Sequence, residues 1–535
     1  MSQIPYRANL SAAIFPMTLA RAGRSVIIPG ADQNFDRRVD PQGEQKTAGI
    51  PQAIYMENVI PTADGYQSVG YRTANALPEI DMIPMEIKMP GATVPEILIF
   101  SRTLGAVYRY NLGSWNFVAF SGVYGGPPTS ENSLSYAVVR GVVYIFNEAT
   151  KSLYTYVVGT LTNVTATVLP VGFLPNIISI TGSYNYLVAL NNAASPTIYW
   201  SSTITPTDFT ASLVTGAGSG AATNIQGAAK FLRASPTGFF LYTTNNIISA
   251  TYTGNARYPF RFIPVKDSVG VINTWEVYSD VDESSQIMTT RASFIAAVSQ
   301  DTSQQLAAEL TEYLERNNTY DIFNSGTNTF TVGSVASQQE TARIYVFNSR
   351  YIVVSLQQAS PAFIGIYDVA FVFDSLLQRY GKLKIRHTQV VTVPESFTTK
   401  LRLGFIDTFN RVIYRWYLDV NDNATDPGEI PMAGVLVLGK FQYVRSRNIC
   451  LDHISTESGQ PLATFPVPNF QLLTIPTWDG KTFLTAQTPW LDVSQSTGTV
   501  MTYNSSCEGK NVSLLIKGAF DLCSVEMMFH LGGDN

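Results

Sequence analysis

The sequence predicts an all-β fold, and more narrowly a β-propeller with an added C-terminal β domain and one inserted helix. Apolar and aromatic residues alternate with Ser, Thr and Asn along most of the 535 residues, and turn-forming residues interrupt the alternation. The first five expected hairpin tips lie near residues 113, 150, 192, 245 and 283, so they are 37, 42, 53 and 38 residues apart. Propeller blades of four short strands repeat at about 40–50 residues. A series of irregular β-sandwiches is the alternative that this spacing leaves open.

The individual hairpins follow from turn residues that separate two alternating runs. In the segment from Phe239 to Phe262, for example, the pattern breaks at Asn245-Asn246 and again at Gly254-Asn255. No repeated Gly-His and Trp-Asp signature accompanies the hairpins, which argues against a WD40 array and leaves the number of blades open. Hairpins are expected over residues 106–118, 142–158, 184–202 and 239–262, with further tips near residues 282–283, 359–360 and 410–411.

Three regions depart from this pattern. Residues 299–318 are expected to form the inserted helix, because Leu306, Leu310, Tyr313 and Leu314 would share one face. Residues 1–50 have weak periodicity, as in an N-terminal arm, and residues 51–430 would form the propeller. Residues 431–535 begin and end with strong strand patterns and would form the C-terminal β domain. Within it, residues 458–478 contain four Pro and no charge, which predicts an apolar loop packed on a partner or beneath its own domain.

Composition points to an assembly subunit. Charged residues make up only 14% of the chain, where about 25% is usual, so much of the surface is expected to contact other protein. A surface rich in Ser, Thr and Asn would lower the fraction of charged residues as well.

The net charge of −5 argues against a basic face that binds nucleic acid tightly, although DNA could slide past a mildly acidic surface. No apolar run approaches the roughly 20 residues of a membrane-spanning helix, and three cysteines form no disulfide framework, so we expect folding in a cytoplasm.

Nucleotide-binding and nucleophile motifs are incomplete. Gly480-Lys481-Thr482 could end a phosphate-binding loop, but Ile475 stands where its first glycine is required. The run Gly216–Gly220 lacks both the dinucleotide-binding and the nucleophile-elbow spacing. It is more typical of a flexible linker.

Metal-binding patterns are incomplete too. Cys450 and His453, with Cys507 and Cys523 downstream, could supply four zinc ligands, but paired Cys-x-x-Cys spacing is absent. The acidic run at residues 419–429 departs from a calcium loop at its sixth and twelfth positions. We therefore expect no metal, no cofactor and no enzymatic activity, although a glycosidase needs only two carboxylates and no motif excludes one.

Six segments, taken in order, resemble the tail nozzle or hub proteins of short-tailed bacteriophages, also called packaged-DNA stabilisation proteins. None of these segments has a catalytic pattern, and their order and spacing carry the resemblance. They cover residues 55–73 (YMENVIPTADGYQSVGYRT), 197–209 (TIYWSSTITPTDF), 239–262, 267–272 (DSVGVI), 363–383 (FIGIYDVAFVFDSLLQRYGKL) and 435–445 (VLVLGKFQYVR).

The resemblance implies a structural virion protein built on a β-propeller. Six copies would form a ring below the portal and its adaptor, continue the DNA channel, retain the packaged genome and release it at infection. Its implied partners are further copies of itself, the portal adaptor, tail fibres or spikes, and passing double-stranded DNA without sequence-specific binding. The implied location is the virion tail, after synthesis in the cytoplasm of a host bacterium.

Two acidic loops are candidates for the lining of such a channel. A mildly acidic wall repels phosphate, but ordinary solvated loop tips would have the same composition. Two other classes stay open: a tail fibre or spike, and a propeller that binds or hydrolyses host-surface glycan. The candidate residues are Asp280, Asp282, Glu283, Asp419, Asp422 and Asp426.

Overall fold

The fold is that of a computed structural model. It describes residues 3–9, 26–28, 53–73, 76–111, 114–121, 126–157, 159–165, 176–192, 195–280, 282, 284–290, 295–307, 310–314, 319–324, 329–334, 342–357, 365–394, 401–416, 430–431, 434–443, 449–458, 469–477, 491–494, 500–509 and 511–531.

Six short strands precede the first complete sheet. Each of them pairs with a strand that lies much later in the chain. They are β1 (Gln3–Asn9), β2 (Val26–Ile28), β3 (Ala53–Glu57), β4 (Val59–Pro61), β5 (Tyr66–Ser68) and β6 (Gly70–Thr73).

Seven antiparallel sheets then follow one another along the described chain, and we number them as blades 1 to 7. The first three are four-stranded meanders, and β11 adds to the outer edge of blade 2 in parallel with β15. Blade 1 contains β7 (Met82–Ile87), β8 (Glu96–Ser101), β9 (Val107–Asn111) and β10 (Ser114–Phe117). Blade 2 contains β11 (Ala119–Ser121), β12 (Leu134–Val139), β13 (Val142–Asn147), β14 (Ser152–Val157) and β15 (Thr160–Asn163). Blade 3 contains β16 (Ile177–Ser183), β17 (Tyr186–Asn192), β18 (Pro196–Trp200) and β19 (Gly218–Ala221).

Blades 4 and 5 repeat the meander, and a separate hairpin follows blade 5. Blade 4 contains β20 (Ala229–Ser235), β21 (Gly238–Thr243), β22 (Ile247–Tyr252) and β23 (Phe260–Pro264). Blade 5 contains β24 (Val277–Tyr278), β25 (Gln286–Thr289), β26 (Ile295–Val298) and β27 (Ser303–Leu306). The helical turn α1 (Thr311–Leu314) and the hairpin of β28 (Thr319–Asn324) and β29 (Thr329–Ser334) come next.

Blades 6 and 7 complete the series with help from the N-terminal strands. Blade 6 continues through β4 and β5 into a larger sheet, and β6 forms the outer strand of blade 7 with β37 beyond it. Blade 6 contains β30 (Arg343–Phe347), β31 (Tyr351–Leu356), β32 (Tyr367–Asp374) and β33 (Arg379–His387). Blade 7 contains β34 (Gln389–Pro394), β35 (Leu401–Asp407), β36 (Val412–Trp416) and, across β6, β37 (Ile430–Pro431).

Strand β6 closes the ring of blades. It pairs with β36 so that Tyr71 lies opposite Trp416. The Tyr71 ring stacks on Trp416 at a centroid distance of 5.7 Å and meets Tyr414 edge-on at 5.4 Å. The last blade therefore takes its outer strand from the N-terminal part of the chain, which joins the two ends of the propeller.

Seven hydrophobic cores lie between neighbouring blades of the described chain, including one between blade 7 and blade 1. In that last core, Val391 and Ile406 of blade 7 pack with Met82 and Ile99 of blade 1. Burial of apolar side chains on both faces of every sheet explains why the strands are dominated by Val, Ile, Leu and aromatic residues. The propeller prediction is confirmed, and the blade count that the sequence left open is seven.

The C-terminal strands interleave with the N-terminal ones. The C-terminal strands are β38 (Gly434–Tyr443), β39 (Ile449–Ser458), β40 (Asn469–Thr477), β41 (Leu491–Ser494), β42 (Val500–Gly509), β43 (Asn511–Ala519) and β44 (Asp521–Leu531). Strand β38 pairs with β2, β3 and β43, and β44 pairs with β1, β5 and β39. The domain boundaries at 50 and 430 stay predictions.

The predicted apolar loop at 458–478 is wrong in its second half. There, β40 pairs with β43 and β41. Residues 459–468 lie outside the described residues.

The predicted helix at 299–318 is mostly wrong. Residues 303–306 form β27, which pairs with β26 as the fourth strand of blade 5. Among the described residues of this range, the α-helix is confined to the turn α1. Completion of a four-stranded sheet overrides the local helical pattern. Two residues of the predicted apolar face, Leu310 and Leu314, are nevertheless buried in the core between blades 5 and 6.

The glycine run at 216–220 is not a linker, because its second half forms β19 at the edge of blade 3. A Cβ at Gly218 or Gly220 would lie 3.3 Å from the Trp200 ring. Glycine therefore allows β19 to lie directly against the indole, whose Nε1 donates to the Gly216 carbonyl at 2.9 Å. The close approach explains a glycine-rich strand that composition alone assigned to a loop.

The predicted hairpin tips are confirmed wherever the structure describes both flanking strands. The tips near residues 113, 150, 192, 245, 283 and 410 lie between β9 and β10, β13 and β14, β17 and β18, β21 and β22, β24 and β25, and β35 and β36, respectively. The tip expected at 359–360 lies outside the described residues.

Candidate functional site

A cavity of about 370 Å³ lies at the centre of the ring. The first strand of every blade contributes to its wall, namely β7, β12, β16, β20, β24, β30 and β34. Successive side chains of a strand point to opposite sides, so these strands place apolar residues between blades and polar residues toward the axis. In β7, Ile83, Met85 and Ile87 join the core with blade 2, while Glu86 and the following Lys88 reach the cavity.

An ion pair joins opposite sides of the ring at one end of the cavity. Arg343, the first residue of β30 in blade 6, donates from both terminal nitrogens to Glu131, in the 3₁₀ turn before blade 2. The Nη1–Oε1 distance is 3.0 Å, and Gln389 of blade 7 donates to Glu131 at 3.4 Å and to the Pro84 carbonyl at 3.0 Å. Burial disfavours the Arg343 charge, but the Glu131 carboxylate and Tyr367 together outweigh it and raise the arginine pKa above its ordinary value.

A second polar link runs beside this pair, between blades 2 and 5. The Asn132 amide donates to Asn273 Oδ1 at 2.8 Å. Its own oxygen accepts from the Thr274 N–H at 2.8 Å and from the Thr274 hydroxyl at 3.0 Å. The turns that lead into β12 and β24 are therefore fastened to each other across the ring.

At the other end, Lys88 of blade 1 pairs with Asp280, which follows β24 of blade 5. Asp280 is only 6% exposed, so its side chain is occupied inside the propeller. Asp282 is 42% exposed and accepts from the Gly91 N–H at 3.0 Å. Of the predicted channel-lining carboxylates, Asp280 is thus a buried ion-pair partner and Asp282 a partly exposed loop residue. Glu283, Asp419, Asp422 and Asp426 lie outside the described residues.

Glu86 lies between these two ion pairs. Its carboxylate accepts from the Tyr345 hydroxyl at 2.7 and 3.0 Å and from the Thr392 N–H at 3.1 Å, which links blade 1 to blades 6 and 7. Burial raises the pKa of Glu86 to about 7, although the Tyr345 and Thr392 hydrogen bonds oppose the rise. The group is therefore poised to change charge near neutral pH.

Sequence reasoning did not select Glu86, Glu131 or Arg343. The three residues are scattered over more than 250 positions, and none belongs to a motif. Single charges inside apolar strand patterns, as in MIPMEI and RIYVF, were the available signal, because a buried charge requires a partner. The identity of each partner depends on which blades face each other across the ring.

No protein-family model and no curated protein sequence matches this chain. Similar solved structures include YCF48 from Cyanidioschyzon merolae, at 10% identity and a TM-score of 0.34, over 65% of this chain and 98% of that one. Apo AztD from Citrobacter koseri matches at 10% identity and a TM-score of 0.33, over 59% and 95%. Sqt1 from Saccharomyces cerevisiae matches at 8% identity and a TM-score of 0.32, over 68% and 99%. The propeller assignment above rests on this chain's own strand pairing and cores.

In the described part of the chain, no group of three or more His, Cys, Asp and Glu side chains is arranged to hold a metal ion. Within the same ranges, no helix has the length and apolar character that crossing a bilayer requires.

Proposed function

We propose that this chain is a structural subunit of the tail nozzle of a short-tailed bacteriophage. Copies of it, six by the family resemblance, would form a ring below the portal adaptor and surround the path of the packaged DNA. Tail fibres or spikes would attach around that ring.

One observation carries the proposal: three of the resembling segments, far apart in sequence, form paired strands. Residues 55–73 supply most of β3 and all of β4 to β6. Residues 363–383 supply all of β32 and the first half of β33, and residues 435–445 supply most of β38. Strand β4 pairs with β33, and β3 pairs with β38. Three of the six segments that resemble the nozzle family therefore belong to the region where the propeller meets the N- and C-terminal strands.

The pairing between propeller strands and terminal strands would suit a protein under mechanical load. Blade 6 continues through β4 and β5 to β44, so hydrogen-bonded strands connect the propeller to the terminal sheets. A body joined in this way resists separation better than domains joined by a single linker. A nozzle has to withstand packaged DNA above it and the attached host-binding proteins around it.

The propeller's own centre is not suited to be the DNA path. The Arg343–Glu131 and Lys88–Asp280 pairs cross it, and the remaining cavity has a volume of about 370 Å³. A DNA duplex would therefore run through the lumen between subunits. The net charge of −5 is compatible with a wall that does not hold phosphate.

The proposal is tested with the purified full chain, alone and mixed with a portal–adaptor complex. Light scattering should give the mass of a hexamer, and negative-stain electron microscopy should show six-fold rings with a central hole or added density at the end of the adaptor. A propeller of similar size that lacks terminal strands serves as the control for non-specific attachment. A monomer that leaves the adaptor bare would rule the nozzle out.

A second candidate is a propeller that binds or hydrolyses host-surface glycan. It is favoured by the position of Glu86 in the central cavity, since a raised carboxyl pKa suits a general acid. Glycan binding and the release of reducing sugar test this candidate. Loss of turnover in both Glu86→Gln and Glu131→Gln would support a hydrolase, whereas full turnover in either variant would exclude that carboxylate from the reaction.

A further inference from the structure

Among the described residues, two of the three cationic side chains in the wall of the central cavity form ion pairs, and the third does not. The three side chains are Lys88, Arg233 and Arg343. Lys88 is paired with Asp280, and Arg343 is paired with Glu131. Arg233 forms no ion pair with any described residue. Its described hydrogen bond goes to the Thr274 carbonyl, at 3.3 Å.

Arg233 is held in the wall by packing. It lies in β20, and its guanidinium carbon is 5.0 Å from the centroid of the Phe231 ring. Burial lowers the pKa of Arg233, with the nearby Tyr136 and Tyr242 hydroxyls and Glu131 opposing the change. Glu131, the carboxylate that opposes this change, already forms its ion pair with Arg343. A further negative group near the Arg233 guanidinium would therefore be favourable.

Trp275 adds aromatic wall beside this arginine. It directly follows Thr274, the residue whose carbonyl accepts from Arg233, and it also lines the cavity. Its indole Nε1 is buried, so the ring offers a ligand apolar surface and Arg233 offers the hydrogen-bond donors.

The cavity has the size and the opening that a small molecule needs. Its volume of about 370 Å³ lies within the roughly 300–1,000 Å³ of typical ligand sites. Pro90, Tyr184 and Pro236 line it and are exposed, which marks its mouth. Tyr136 and Tyr278 add aromatic surface to the wall, where the body of a ligand could pack.

We propose that the central cavity binds a small organic anion whose acidic group pairs with Arg233. A carboxylate and a phosphate share this chemistry, because each is a compact oxyanion that a guanidinium can bind through two hydrogen bonds. The inference does not depend on the proposed assembly, since the cavity belongs to a single chain.

Calorimetric titration of the full chain at pH 6 tests the proposal with three probes of similar size. Glucuronate carries a carboxylate, glucose 6-phosphate carries a phosphate, and glucose carries neither. We expect saturable binding of at least one of the two anions at one site per chain, with glucose at least tenfold weaker. Which anion binds better distinguishes a carboxylate ligand from a phosphate ligand.

Three variants locate the bound group. Arg233→Gln should weaken anion binding at least tenfold, and Arg233→Lys, which keeps the charge without the planar fork, should weaken it about threefold or more. Arg261→Gln is the matched control, because Arg261 lies exposed on β23 of the same blade. Thermal unfolding of each unliganded variant verifies its fold, and Arg233→Lys keeps the test decisive if Arg233→Gln does not fold.

Several results would overturn the proposal. They are the failure of both anions to bind the folded chain, equal binding of glucose, and anion binding that neither Arg233→Gln nor Arg233→Lys weakens. Tight binding of glucose would instead favour the glycan candidate. A failed ring assembly with intact anion binding would refute the nozzle and leave this site standing.

Discussion

The sharpest stability prediction concerns Glu86→Gln. Burial raises the pKa of Glu86 from its ordinary value of 4.5 to about 7 in the folded chain. The folded state therefore holds the proton more tightly than the unfolded chain does. The stabilisation from this group is fully present below pH 4.5 and is lost as the pH rises through about 7. Wild-type stability should decline over that range relative to a variant that cannot ionise.

The size of the effect follows from the pKa difference. One pKa unit corresponds to about 1.4 kcal/mol, so a rise from 4.5 to about 7 is equivalent to roughly 3 kcal/mol. Glutamine has nearly the same shape, and its carbonyl can accept the Thr392 N–H. We expect Glu86→Gln to match or fall below wild type at pH 5 and to gain roughly 2–3 kcal/mol relative to it by pH 8.

Differential scanning calorimetry at pH 5, 6, 7 and 8 measures this change as a Tm difference of a few degrees. Subtracting the two proteins at each pH cancels the titration of every shared group. Asp81→Asn is the matched control, because Asp81 precedes the same strand but is 43% exposed and paired with Arg102. A Tm difference for Glu86→Gln that stays flat across pH, or that shrinks as pH rises, would refute the reasoning.

Three further predictions test ring closure, the cross-ring ion pair and close backbone packing. Tyr71→Ala removes both ring contacts that attach β6 to blade 7, so it should destabilise the chain by about 2–4 kcal/mol; an unchanged urea midpoint would mean that closure does not depend on this ring. Arg343→Met leaves the Glu131 carboxylate without its partner, so this variant should be about 1–3 kcal/mol less stable than the double variant with Glu131→Gln. Equal midpoints for the single and double variants would contradict that expectation. A Cβ at Gly270 would lie 2.1 Å from a backbone carbon in the turn between β21 and β22, so Gly270→Ala should lose about 3 kcal/mol or more, or fail to fold. Gly254→Ala, with open space but φ of +76°, should lose only about 1 kcal/mol, and soluble yield with thermal unfolding compares the two.

Residues 299–318 show where prediction from local sequence patterns fails. Leu306, Leu310 and Leu314 have helical spacing, but Leu306 pairs with Ile295 in blade 5. A short polar strand at the edge of a blade leaves almost no alternation for sequence analysis to detect. The energy that places it there comes from hydrogen bonds to β26, which the linear sequence does not contain.

The candidate site could be predicted from the sequence even less well than this region. No motif marks its charged residues, and the roles of Glu86, Lys88 and Arg343 come from partners that other parts of the ring contribute. Asp280 illustrates the point: in sequence it belongs to an acidic loop tip, whereas in the fold it is the buried partner of Lys88. The central cavity exists only because seven sheets are arranged around one axis.

The sequence by itself determined most of the blade strands, the turns between them and the spacing typical of propeller blades, but not β19, β27 or β40. These features depend on residue alternation and on the backbone preferences of Gly, Asn and Asp, which act over a few residues. Only the tertiary structure decided the number of blades, the closure of blade 7 by β6 and the pairing of charges across the ring. Those features depend on contacts between residues hundreds of positions apart, such as Tyr71 with Trp416 and Glu86 with Tyr345. Local pattern can show that a strand is present, but its neighbours are selected by packing and burial in the complete ring.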